Sequence, residues 1–98
     1  MFLNIIKTYR DVVVICDEEL IGKKFEEGEF QLDIKENFFK GEKVDEQKLL
    51  KVIEDFSKED ATFNIVGEKS VNTVLKAGLI SKEGVKKIKN IPFSLKLL

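Results

Sequence analysis

The sequence predicts an α+β fold, a two-layer sandwich in which a mixed or antiparallel sheet of four to five strands carries two main helices on one face. Three observations carry that reading. Val12 to Cys16 is an unbroken, mostly β-branched run, as expected of a strand buried on both faces. Glu29 to Ile34 and Thr62 to Ile65 alternate apolar and polar residues with period two, the pattern of a half-buried strand. Asp45 to Ser57 places Leu49, Val52, Ile53 and Phe56 on one stripe, the period of a helix with one buried face.

Taken in order, Phe2 to Tyr9 reads as a first strand, and Arg10 and Asp11 as a turn into the Val12–Cys16 strand. Asp17, Glu18 and Glu19 start a single helical turn with Asp17 as its cap. Lys23 to Gly28 reads as a loop pinned by Phe25, ahead of the Glu29–Ile34 strand. The Phe38–Phe39 pair is expected to plug the core beneath a connection. The next helix has Asp45 in reach as its N-cap.

Ala61 to Ile80 is the best-punctuated stretch. Phe63 and Ile65 form the strand, Gly67 breaks it, Val71, Val74 and Leu75 gather on one helical face, and Gly78 ends the helix. Ser81 then caps a short helical turn containing Val85 and Ile88. Phe93 to Leu98 is a last strand, placed at a sheet edge because Pro92 cannot donate to a ladder.

Composition bounds the function. The 98 residues make one domain, residues 1–98, with 43% hydrophobic and 36% charged residues, a balance typical of folded soluble proteins. The longest apolar run has five residues against the roughly 20 of a membrane-spanning helix, and the N-terminus lacks a signal peptide's basic start. A cytosolic protein with no membrane partner is expected. There is no histidine, so histidine triads are excluded and zinc sites are disfavoured. The single Cys16 allows no disulfide within the chain. No metal, cofactor or catalytic residue is implied, and a binding role is favoured over enzymatic activity.

Charge is unevenly spread. Residues 17–60 carry −7, whereas residues 61–98 carry +5 within a total of −1. The basic part holds Lys82, Lys86, Lys87, Lys89 and Lys96 near Phe93, and Gly67, Lys69 and Ser70 lie at a helix start whose free N–H groups favour an anion. Only Arg10 among the 17 basic residues is an arginine, which suits contacts to an RNA backbone better than base-specific readout. The expectation is a non-catalytic module for RNA or a ribosomal or translation-protein surface, with Gly67, Lys69, Ser70, Lys82, Lys86, Lys87 and Lys89 as contacts. The alternative is a site for a small anion or phosphorylated ligand, or an enzymatic one, built from Cys16, Asp17 and Glu18 with the Gly67–Ser70 turn. The open edge near Phe93–Leu98 would be available for strand pairing or a homodimer.

CDEELIGK at Cys16–Lys23, FFKGE at Phe38–Glu42, NIVGEKSV at Asn64–Val71, AGLI at Ala77–Ile80 and the closing I-x-x-I-P-F together resemble an archaeal family, domain of unknown function 424, over the full length. The resemblance implies a compact α+β domain in an archaeal cytosol. It also implies a translation-associated setting, because the family's genes often lie near translation genes. The family pattern commonly places a histidine after the proline. Phe93 stands there instead, so no role of that histidine carries over.

Overall fold

A computed structural model describes all of residues 1–98. Six strands form the main sheet: β1 (Phe2–Ile6), β2 (Val12–Cys16), β5 (Glu42–Lys43), β6 (Thr62–Val66), β7 (Lys86–Ile88) and β8 (Ile91–Leu97). Their order is β5-β1-β2-β6-β8-β7. β2 and β6 are parallel in the centre, while every other pair is antiparallel. The sheet is therefore mixed.

Two helices, α2 (Glu46–Phe56) and α3 (Glu68–Lys76), cover one face. Leu49 and Ile53 of α2 and Val71 and Val74 of α3 pack on Leu3, Val13, Ile15, Phe63 and Ile65. Asp45 caps α2 as its sequence position predicts, accepting the Lys48 N–H at 2.8 Å.

The other face is not left to solvent, which corrects the two-layer description. β3 (Lys24–Glu27) and β4 (Phe30–Asp33) form a separate antiparallel ribbon, and α1 (Glu36–Phe39) is a single short helix after it. Ile34, Phe39 and Leu20 close over Val14, Cys16 and Val66. The stretch expected as a loop, Lys23–Gly28, is thus mostly strand, and the Glu29–Ile34 strand pairs with it instead of joining the main sheet. Phe38 and Phe39 meet edge to face with ring centroids 5.0 Å apart, and Phe39 is buried as the core plug. Gly41 lets this segment approach β1, since a Cβ there would lie 2.7 Å from the Leu3 carbonyl carbon.

The C-terminal segment also differs from expectation. One 3-10 turn covers Lys82–Gly84, after which Lys86–Ile88 is extended. Lys89 and Asn90 both have positive φ, 51° and 65°, which makes the two-residue primed turn that matches strand twist and closes the β7–β8 hairpin. β8 then lies between β6 and β7 along its first residues and is not an edge there.

Pro92 is accommodated because its missing donor has no acceptor waiting. The Gly67 N–H donates to the Pro92 carbonyl, and the Gly67 carbonyl accepts from Val71 as the first bond of α3. An ordinary antiparallel pair would need a bond returned from residue 92, and here helix initiation replaces it.

Candidate functional sites

The ends of β2 and β6 bring together the two motifs that the sequence separates by half the chain. β2 and β6 are in parallel register, Cys16 beside Val66. Beyond them the chain leaves in opposite directions, to Leu20 on the ribbon side and to α3 on the helix side. Such a divergence opens the ligand crevice of many open α/β sheets. Here Asp17 fills it.

The Asp17 carboxylate accepts from the Lys69 N–H at 3.0 Å, the Ser70 N–H at 2.8 Å and the Ser70 hydroxyl at 2.7 Å. Asp17 and Ser70 are buried. A cap was expected from Asp17 to its own turn, Glu18–Leu20, but that turn receives no side-chain bond. The carboxylate caps α3 instead, across 53 residues of sequence. Gly67, which opens α3 with φ +108°, has no side chain to cap with. It must be glycine also because a Cβ there would stand 2.6 Å from both Cβ and Oδ2 of Asp17. An incoming phosphate would meet Lys69 and Ser70 amides that already hold a carboxylate.

Cys16, Asp17 and Glu18 diverge, as successive residues at a strand end do. The Cys16 thiol is buried and donates to the Asp17 carbonyl at 3.3 Å. Burial first, and then the nearby Asp17 and Glu19 charges, push its pKa up to about 12, the reverse of an activated nucleophile. Glu18 faces the other way, 3.1 Å from the Met1 amino group and 3.3 Å from the Lys43 ammonium. The hydrogen bond from that amine, assisted by Lys43, holds the Glu18 carboxyl below its ordinary pKa. The three principal cavities are lined by other residues.

The predicted basic residues divide among several surfaces. Lys82 and Lys87 line an open groove of about 430 Å³ between α3 and the β7–β8 hairpin. Val71, Leu75, Val85 and Pro92 give it apolar walls, and Glu68, Asn72 and Asn90 add polar groups. Lys69 and Lys76 line an adjoining depression that shares Asn72 with the groove.

Lys86 alternates with Lys87 along β7 and so points to the opposite face. Lys89 occupies the hairpin turn, where its N–H donates to the Glu27 carboxylate at 2.7 Å. The five-lysine stripe is therefore not one surface. Asn72 and Asn90 were not singled out in the sequence, because nothing local tells a groove-lining amide from a solvated one.

A model of the family described as "Protein of unknown function (DUF424)" matches residues 6–96. No curated protein matches the chain. Among solved structures, the crystal structure of an uncharacterized conserved protein from Methanopyrus kandleri superposes with a TM-score of 0.81 at 24% identity, over 98% of this chain and 89% of that one. At that identity the likeness establishes a shared fold. No helix of the structure is long and apolar enough to cross a membrane.

Proposed function

We propose a function for this chain, which belongs to the DUF424 family of proteins of unknown function: it is a cytoplasmic, non-catalytic module that binds single-stranded RNA in a translation setting. The contact surface is the groove between α3 and the β7–β8 hairpin, with the Lys69 depression beside it.

One observation carries the reading. Lys82 and Lys87 share one groove, and neither they nor Lys69 form an ion pair. Of the eight lysines in the acidic part of the chain, Lys24, Lys40, Lys43, Lys48 and Lys51 are paired with carboxylates, and the unpaired Lys23, Lys35 and Lys58 do not line the groove. Unpaired ammonium groups on a concave surface attract phosphates, and each phosphate neutralised releases counterions. The groove offers no aromatic ring for base stacking, since Phe93 packs on the other face of the sheet. Contact to the backbone therefore dominates, and the asparagines offer donors and acceptors to base edges or ribose. Lysine point charges in this role give weak sequence preference.

The test is a titration of a short unstructured RNA, a duplex RNA and intact archaeal ribosomal subunits at several salt concentrations, with the native chain and the double variant Lys82→Glu/Lys87→Glu. Saturable binding that weakens as salt rises and is lost in the variant is the expected result. Absence of binding at low salt, or equal binding by the variant, refutes the proposal.

A further inference from the structure

The strand β8 is held along most of its length on one side and along less than half on the other. β6 pairs with Phe93–Leu97, whereas β7 pairs only with Ile91–Phe93. The Gly67-to-Pro92 and Leu98-to-Ala61 main-chain bonds fix the alternation. Even-numbered residues of β8 direct their N–H and C=O groups at β6, and odd-numbered ones direct theirs outward. Ile91 and Phe93 meet β7 there. Leu95 and Leu97 meet no strand.

The same two residues expose their side chains, at 60% and 65%. On the opposite face of β8 between them stands Lys96, which has no ion-pair partner. Beyond the end of β8, the Arg10 guanidinium donates to the Leu98 carbonyl and holds the strand's end in place. A short, fixed edge with free main-chain groups and two exposed leucines is a template for an added strand.

The charge at Lys96 selects the occupant. A second copy of β8, running antiparallel in the register that engages both exposed leucines, sets Leu95 against Leu97 of the copy. It also sets Lys96 directly against its own counterpart. Like charges opposite one another destabilise a strand pair, and an edge lysine is a common device against self-pairing. A strand with an acidic residue between two apolar ones meets all three positions.

We propose that the outer edge of β8, Ser94–Leu97, binds by strand addition an extended segment of a partner protein that carries an acidic residue between two apolar residues. Main-chain bonds from Leu95 and Leu97 supply general affinity, and Lys96 supplies the choice of sequence. This edge is distinct from the Lys82–Lys87 groove, so the two proposals fail separately.

The experiment uses the full chain, the variant Lys96→Glu and two capped pentapeptides, Thr-Val-Glu-Val-Thr and Thr-Val-Lys-Val-Thr. Amide hydrogen exchange at Leu95 and Leu97 is the readout. The glutamate peptide should slow both amides about tenfold when present at about ten times its dissociation constant, and the lysine peptide should bind more weakly. Lys96→Glu should reverse that preference. The proposal is overturned if neither peptide slows these amides at millimolar concentration, or if both do so equally in both proteins. Slowing that grows with protein concentration alone would make a second copy the occupant and overturn it as well.

Discussion

Asp17 Oδ1 receives two hydrogen bonds from Ser70, at 2.8 Å from its main-chain N–H and 2.7 Å from its hydroxyl, and so ties the end of β2 to the start of α3. The two strands it bridges are the central parallel pair. A helix start normally finds its cap one or two residues upstream, yet here the cap comes from a neighbouring strand. That makes the pair a tertiary lock as well as a helix cap.

Asp17→Ala should therefore cost more than an ordinary cap. It removes a carboxylate from three donors in a buried setting, where bonds to a charged group contribute about 1.5–3 kcal/mol each and caps about 1 kcal/mol. We expect a loss of about 3 kcal/mol or more in urea unfolding. Ser70→Ala, which deletes only the hydroxyl donor, should lose about 1 kcal/mol. The two losses should not add, because both variants break the same bond. Additive losses would show that the hydroxyl bond has no energetic role.

Gly67→Ala should be worse than either. The φ of +108° lies outside the range comfortable for side-chain-bearing residues, and the new methyl group would overlap the Asp17 side chain. A loss beyond about 3 kcal/mol, or failure to fold, is expected. Gly22→Ala is the comparison. It shares a positive φ of 82°, but its Cβ would meet nothing within 4 Å, so its cost should stay near 1–2 kcal/mol. Equal unfolding midpoints for the two variants would contradict the close-contact argument.

Cys16 should be inert toward iodoacetamide at pH 8 in the native protein and reactive once the chain is unfolded. Its thiol is fully buried and its pKa is pushed up to about 12, whereas an unfolded cysteine titrates near about 8.5. The unfolded chain thus loses its proton first. The thiol's contribution is fully present below about pH 8.5 and declines as pH rises toward 12. Cys16→Ser should flatten that part of the stability profile, measured by urea unfolding at stepped pH.

The division of the lysines can be read in a binding experiment. Lys82→Glu with Lys87→Glu changes the groove, whereas Lys86→Glu with Lys89→Glu changes the far face of β7 and the hairpin turn. If the groove holds RNA, the first pair should abolish the saturable binding, whose salt slope is about −0.7 per phosphate contact on a single strand. The second pair should leave the slope nearly unchanged. Equal effects would point to a diffuse electrostatic field with no single docking groove.

Much of this fold is legible locally. The β-branched run Val12–Cys16 lies in the middle of the sheet and buries Val13 to Cys16 completely. The apolar stripe of α2 and its Asp45 cap also lie where their spacing places them. Other elements could not be read that way. Lys23–Gly28 has only Phe25 as an apolar residue, so its strand character comes from pairing with Phe30–Asp33. Lys86–Ile88 is extended because Lys89 and Asn90 turn the chain back onto it, a conformation that neither residue announces as glycine would.

By itself the sequence determines an α+β domain with a buried central strand, two amphipathic helices, a chemistry without histidine and a basic C-terminal part. Those properties follow from residue type and short-range period. The tertiary structure decides that Asp17 occupies the helix start that looked ready for an anion, because β2 and β6 end side by side. It also decides that Lys82 and Lys87 share a groove while Lys86 turns away. Both outcomes depend on strand order and register, which arise from contacts between residues distant in sequence.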